Sequence, residues 1–426
     1  MPLTNIRLRP IFPDEPIVQS LTDTDFYKIT MGQFIFKYYR GVNVTFGFKN
    51  RTLTAKLARM IPEAQLREEL DHVRTLQFTN TELHYLRGTN EYQDRMFKEP
   101  YIDHLKGFQA PPYELEYRGE DIFLTFPGDW VDSSPWEIYG LEIINELYFR
   151  KLLKEHSIFN RDVIYAEGKK RLGKKIKRLK QNPQITFSEF GTRRRFSRDW
   201  QDYVVAALAE ELPPSQFRGT SNTYLALKHG LLPMGTNAHE LQMVIAGLSQ
   251  STDEGLRGSQ NEMLKLWWKE YGEPLSVFLP DTFGTESFLK IVSPDMLRDW
   301  KGPRQDSGDS IVEGEQWIKA YKDIGVDSRT KLMVPSDGLE LGLMLKIEKH
   351  FRDRLMVSFG WGTNLTNDLG FKPLSLVIKA TTANGIGLVK LSNNPAKALG
   401  SPDDVARYKR VFGYGEADHT ETKCKY

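Results

Sequence analysis

At 426 residues the chain exceeds one ordinary hydrophobic core and is long enough for two domains. Apolar residues make up 40% and charged residues 27%, which excludes a disordered chain, and a formal net charge of +2 gives no overall field for nucleic acid or a membrane surface. The single cysteine, Cys424, excludes a disulfide framework and points to a reducing, cytoplasmic compartment. The N-terminal stretch MPLTNIRLRPIFPDEPIVQS lacks the apolar run of a signal peptide. Nowhere do about 18 consecutive apolar residues occur, the length a membrane span needs.

Residues 1–20 are Pro-rich and read as an arm. A helix is expected from the stretch Leu21-Thr22-Asp23-Thr24-Asp25 onward, with Thr22 or Asp23 as its cap, acids in its first turn and Phe34, Ile35, Tyr38 and Tyr39 in its apolar register. Val42 to Phe48 alternates as a strand, residues 52–110 read as helices, and YELEYRGEDIFLTF reads as a hairpin turning at Arg118-Gly119-Glu120-Asp121. This first third is an α+β domain. A long apolar helix from Trp136 to His156 joins it to the second domain. Ala166 to Lys180 is a second helix, carrying Lys169, Lys170, Arg171, Lys174, Lys175, Lys177, Arg178 and Lys180. Such a run is able to bind an anion, but its plain reading is a solvated helix face.

From Ile185 the pattern changes to short apolar strands, each ending in a polar, Gly-containing turn and followed by a helix. ITFSEF leads into Gly191-Thr192-Arg193-Arg194-Arg195, LSVFL into Pro280-Asp281-Thr282, and Trp300-Lys301-Gly302 into Pro303-Arg304-Gln305-Asp306. KLMV leads into Ser336-Asp337-Gly338, and LMVSF into Gly360-Trp361-Gly362-Thr363. Repeated strand–turn–helix units predict parallel strands and a (βα) barrel, in which the turns after the strands gather at one end. The expected division is an N-terminal α+β domain over 1–145, joined by 381–426, and a barrel over 146–380.

The stretch RGTSNTYLALKHGLLPMGTNAHE, Arg218 to Glu240, carries two Gly-Thr turns. Small residues there let backbone N–H groups approach a ligand. Of the eight histidines, only His239 sits in such a turn beside a carboxylate, Glu240. Position 243 is Met, so there is no HExxH, and no Cys/His cluster supports zinc. Ser336-Asp337-Gly338 and Gly360-Trp361-Gly362-Thr363 have the composition of phosphate cradles, though neither is a Walker loop. In Arg304-Gln305-Asp306-Ser307-Gly308-Asp309 the guanidinium suits a carboxylate or a phosphate, and the Asp pair suits ribose hydroxyls or a magnesium ion. Phe190 followed by Arg193, Arg194 and Arg195 offers an aromatic platform with cations, or simply a solvated basic turn.

Taken together, LTDTDFYKIT, FKNR, EFGTRRR, GTSN, GTNAHE, DTFGTESF, RQDSGD, SDGL and SFGWGTN occur in an order that closely resembles the nicotinate phosphoribosyltransferases, over Leu21 to Lys397. The resemblance implies an irregular (βα) barrel of the type II phosphoribosyltransferases packed on the N-terminal domain. It implies formation of nicotinate mononucleotide and diphosphate from nicotinate and phosphoribosyl pyrophosphate, coupled to ATP hydrolysis, in NAD salvage. His239 would be transiently phosphorylated, with Glu240 or another nearby acid orienting the ring. Asp306 and Asp309 would steady the ribose; Ser336, Asp337, Gly338, Gly360, Gly362 and Thr363 would hold its 5-phosphate. Phe190 and a Tyr27 from a neighbouring subunit would sandwich the pyridine, near Thr220 and Ser221. Arg193 and Arg304 would hold the carboxylate, and Arg51, Lys390 and Lys397 would bind ATP or diphosphate. Mg2+ would travel with ATP and diphosphate rather than occupy a site built by the protein. The family contains dimers and monomers, so a homodimer is compatible with the resemblance.

Relatives that use nicotinamide carry Asp where this chain has Ser221; a neutral hydroxyl favours the acid. Three other readings compete: the amide-specific sister enzyme, a catalytically inactive barrel kept as a metabolite sensor or scaffold, and a barrel glycosidase using Glu189 and Asp281. The last leaves the phosphate turns unexplained.

Overall fold

The computed structural model describes residues 15–90 and 92–415. Cys424, His419 and the first fourteen residues of the expected arm lie outside that range. Twelve strands occur among the described residues: β1 Asn43–Asn50, β2 Glu114–Arg118, β3 Asp121–Asp129, β4 Phe187–Glu189, β5 Phe217–Thr220, β6 Val277–Phe278, β7 Gly302–Gln305, β8 Leu332–Pro335, β9 Met356–Val357, β10 Phe359–Trp361, β11 Leu376–Ala383 and β12 Ile386–Gly387.

β12-β11-β1-β3-β2 form one antiparallel sheet. The β2–β3 hairpin turns at Gly119, whose φ of 63° lies in the left-handed region. β11 enters this sheet at Leu376, opposite Asn50, five residues before the expected boundary at 381. The C-terminal return therefore begins with a full strand rather than a tail.

The remaining strands are all parallel, in two sheets ordered β10-β4-β5 and β6-β7-β8-β9. One segment joins them. Ser358 N–H donates to Met333 O at 3.1 Å, whereas the next residue, Phe359, donates to Thr186 O at 2.9 Å. The chain thus changes partner at Ser358 and bends two short sheets into one curved wall, the irregular (βα) barrel expected from the turns. Its far edge is carried on by Pro233, which bridges Thr220 in parallel. The parallel strands are only two to four residues long, and helices or short 3-10 turns follow most of them.

Helix Trp136–Lys154 lies between the two domains and is buried on nearly all sides. It carries Glu137, Glu142, Asn145 and Glu146 into the interior, each 3% exposed or less. Buried charge needs partners. Arg195, fully buried, supplies one: it pairs with Asp23 at 2.7 Å and Glu142 at 3.2 Å, and its carbonyl accepts from the Asn145 amide. Arg195 is therefore a joint between the N-terminal segment, the linking helix and the barrel, and no part of an exposed basic turn. The same pairing overturns the expected helix cap. Asp23 is occupied by Arg195 and by Asn222 at 2.7 Å, Thr22 donates to Glu82, and the helix starts later, at Phe26.

Among the described residues no helix is long and apolar enough to cross a membrane. Arg195→Met should cost about 3–5 kcal/mol, because it takes the shared cation from the buried Asp23 and Glu142 and leaves Asp23 only Arg198, at 3.3 Å. Urea unfolding monitored by tryptophan fluorescence measures this; a loss below about 1 kcal/mol would show the joint to be unimportant.

Candidate active site

A cavity of about 340 Å³ opens where the polar ends of the parallel strands face the antiparallel sheet. That volume suits a nucleotide-sized ligand. The turns after β4, β7, β8 and β10 line it, as do His239 and residues of β1 and β11. Eight basic side chains and only two carboxylates, Asp306 and Asp337, line the wall. The site is built for anions.

His239 is the first residue of helix His239–Leu248 and is 3% exposed. Its Nε2 lies 2.8 Å from Asp281 Oδ1 and 3.6 Å from Asp306 Oδ2. Asp281 is fully buried on the turn after β6; burial would raise its carboxyl, but His239, Lys390 and the Ser307 hydroxyl hold it far below the usual range. An ionised carboxylate only accepts, so Nε2 carries the proton and Nδ1 keeps its lone pair. Burial, reinforced by the nearby Lys390 ammonium, pushes the ring down to about 4, against the opposing pull of Asp281. At neutral pH the imidazole is uncharged. Burial would raise Asp306, but Arg304, His239 and Lys397 bring it down to about 2. Lys390, 3.7 Å from Asp281, is lowered by burial to about 8.

Two groups on the wall have buried polar atoms with no partner among the described residues: the Tyr27 hydroxyl and the Arg304 Nε. On a cavity wall such atoms remain able to bond a ligand. The Phe190 ring, half-buried, shares the cavity with Tyr27. Tyr27 is brought there by its own chain. Phe26 N–H donates to Ser221 O at 2.6 Å, and Thr223 N–H donates to Thr24 O at 2.8 Å, pinning the start of helix Phe26–Tyr38 across the β5 turn. Gly235, at φ 154°, makes room: a Cβ there would sit 2.8 Å from Tyr27 N.

The sequence matches the nicotinate phosphoribosyltransferase (NAPRTase) N-terminal domain over residues 22–145 and the nicotinate phosphoribosyltransferase (NAPRTase) family over residues 185–416. The chain belongs to the nicotinate phosphoribosyltransferase family. Nicotinate phosphoribosyltransferase from Vibrio cholerae superposes with a TM-score of 0.84 at 30% identity, over 96% of each chain. The enzyme from Porphyromonas gingivalis gives 0.81 at 28% identity, over 93% of this chain and 100% of the other.

Against the family's motifs, the cavity brings together Tyr27, Arg51, Phe190, Arg193, His239, Arg304, Asp306, Ser336, Asp337, Gly338, Gly360, Gly362, Thr363, Lys390 and Lys397. Four expected residues do not line it. Glu240 turns away from His239 and accepts from Lys28, Ser134 and Trp130, so Asp281 holds the ring instead. Asp309 is exposed and caps helix Ser310–Asp323 through Ile311 and Val312 N–H. Thr220 donates to Glu189 at 2.5 Å. Ser221 is fully buried and donates to Asp25 at 2.7 Å, which removes it from direct contact with a ligand. Tyr27 of the same chain lines the cavity.

Sequence reasoning missed Asp281 as the partner of His239, since 42 positions separate them, and Lys379 as a cation on the wall. Lys379 bonds Glu137 at 3.1 Å, as does Arg193 at 3.3 Å. The available signal was a lone charge, Lys379, directly after the apolar run Leu376-Val377-Ile378.

His239, Asp281 and Asp306 also bring three ligand atoms within 4.8 Å of one another. The set does not fit a resident metal ion. Asp281 Oδ1 is taken by His239, and Oδ2 by Ser307 at 2.6 Å with Lys390 beyond. Only Asp306 retains capacity for a cation that arrives on a phosphate ligand.

Inorganic diphosphate should raise the thermal midpoint by about 2–4 °C at saturation. The shift should vanish in the Lys390→Met, Lys397→Met double variant; an undiminished shift would place the anion elsewhere.

Proposed function

We propose that the protein is a nicotinate phosphoribosyltransferase that couples ATP hydrolysis to nucleotide formation through a phosphorylated His239. The observation that carries the reading is the uncharged His239 ring, held by Asp281 beside Arg304, Asp306 and two glycine turns in one cation-lined cavity. ATP and phosphoribosyl pyrophosphate are the co-substrates, with NAD salvage as the setting.

The Nδ1 lone pair attacks the γ-phosphorus of ATP; the bond to the β-phosphate oxygen breaks and its electrons leave on ADP. The positive charge gained by the ring is offset by Asp281. Positioning and charge neutralisation do most of the work in phosphoryl transfer, and Arg51, Lys390 and Lys397 supply cations. Mg2+, when bound with the phosphates, would be held through Asp306 and would neutralise phosphate charge. For the second half, the 5-phosphate rests on Ser336-Asp337-Gly338 and Gly360–Thr363. Tyr27 and Phe190 clamp the pyridine, and Arg304, with its free Nε donor, meets the carboxylate. The pyridine nitrogen bonds C1 as the C1–oxygen bond to diphosphate breaks. Asp306 faces the positive charge that develops on the ribose. Water then takes the phosphoryl group from His239.

The excess of cations on the wall supports an acid over an amide as substrate, and this preference does not require Ser221 to touch it. In a head-to-head assay, nicotinate should give the mononucleotide at least about 100-fold more efficiently than nicotinamide, because the amide leaves the half-buried Arg304 guanidinium without a counter-charge. A preference for the amide would install the sister activity instead.

With γ-labelled ATP, wild-type protein should acquire an acid-labile, base-stable phosphate and His239→Ala none. Label retained in the variant rejects the nucleophile. The pH profile is set by His239 on the acid side and Lys390 on the alkaline side. A lowered imidazole stays neutral until pH nears about 4, so kcat/KM should show no step near about 6.5 and should fall only below about 5. A lowered Lys390 loses its charge as pH rises through about 8, so kcat/KM for the diphosphate substrate should decline there. Lys390→Arg should move that limb upward.

A further inference from the structure

The basic run on helix Ile158–Lys180 divides into two faces. Lys169, Lys170, Lys174, Lys177 and Lys180 are exposed, as a solvated helix predicts. Lys175 points inward, and Arg171, one helical turn before it, lies half-exposed at the edge of the same face. Lys175 Nζ donates to the Asn364 carbonyl at 2.6 Å and to Asp368 at 2.7 Å, and lies 5.6 Å over the Trp361 ring. Arg171 holds the other Asp368 oxygen at 2.7 Å. Asn364 directly follows Gly362 and Thr363 of the cavity wall. Its side-chain amide donates to Leu339 O at 3.0 Å, and Trp361 Nε1 donates to the same carbonyl at 3.1 Å. Leu339 directly follows Ser336-Asp337-Gly338. One carbonyl thus ties the two phosphate turns together, and Lys175 clamps the residue that reaches it.

We infer that Lys175 is a positioning residue for the sugar-phosphate bed, fixing both glycine turns through Asn364 from outside the barrel. The inference rests on the reading of those turns as the site of the 5-phosphate. Lys175 is not on the cavity wall, so its effect reaches a ligand only through the turn. The Asn364 carbonyl needs a donor that the four-residue helix Thr363–Thr366 does not provide, and the ammonium provides it with a charge-assisted bond. A methylene stem alone leaves that carbonyl and Asp368 poorly satisfied and lets the turn relax, misplacing backbone N–H groups that must meet three phosphate oxygens at once.

The experiment compares Lys175→Met, Lys175→Arg and, as a surface control, Lys174→Met. Lys175→Met should raise KM for phosphoribosyl pyrophosphate about tenfold while kcat and the KM for nicotinate stay within about twofold. Lys175→Arg should recover most of the loss, and Lys174→Met should match wild type. An unchanged phosphoribosyl pyrophosphate KM in Lys175→Met overturns the inference. So does an equal rise for both substrates that Lys175→Arg leaves uncorrected, which is the mark of general damage to the fold. If Lys175→Met does not fold, Asp368→Asn serves, with an expected rise of about threefold confined to the same substrate. Calorimetric titration with phosphoribosyl pyrophosphate separates the two levels. Wild type that neither binds it nor forms product defeats the functional reading. Wild type that binds it no more tightly than Lys175→Met defeats the positioning role alone.

Discussion

One buried ammonium sets the distances on which the cavity depends. Lys28 is 2% exposed and lies between Glu137, at 2.8 Å, and Glu240. Burial alone would discharge it, but the two carboxylates outweigh that and hold it protonated. Each of its partners belongs to a different part of the molecule. Glu137 starts the linking helix and also receives Arg193 and Lys379 from the cavity wall. Glu240 is the second residue of the helix that begins with His239. Lys28 itself follows Tyr27. The aromatic clamp, the cationic wall and the reactive ring are therefore all within one or two residues of the same charge cluster. Desolvating so many ions is expensive, and such clusters contribute little net stability. What this one supplies is geometry: each ion has a single position that satisfies the rest.

The ring is left neutral by a balance of opposing fields. Asp281 and Asp306 favour a protonated imidazole; burial and Lys390 oppose it and prevail. The same Asp281 keeps Lys390 charged near neutrality although Lys390 is itself buried. An uncharged imidazole and a charged ammonium thus coexist within one acid's reach. Removing burial from either would reset the other; the antiparallel sheet contributes Lys379 and Val377 of β11 to the wall of the same cavity.

The barrel was legible because its signals are local. A short apolar run, a glycine or proline, then a polar turn repeats from Ile185 onward, and the turns carry the residues that meet in the cavity. Partnerships between buried charges were not legible. Glu240 stands next to His239 in sequence, but helical geometry turns consecutive side chains about 100° apart, and the carboxylate meets Lys28 instead. Asp281 was visible as an acid on a strand end, yet nothing local says which histidine it faces. Asp23 has the form of a helix cap and is consumed by Arg195. The basic run read as a solvated face, and for most of its members it is one; Arg171 and Lys175 differ only in which side of the helix they occupy. In each case the missing information is the identity of a tertiary partner, and a charged residue's composition gives no hint that it is buried.

The position of Tyr27 is set within its own chain. Its helix is anchored by backbone hydrogen bonds to the β5 turn, and Gly235 gives it room at a point where any side chain would strike its backbone nitrogen. Phe190, on the turn after β4, is neighbour to that same β5 turn through the parallel pairing of the two strands. Both rings are thus referenced to one short stretch of backbone, Thr220 to Asn222. The spacing of the two rings is therefore a property of the chain's own backbone pairing around the β5 turn.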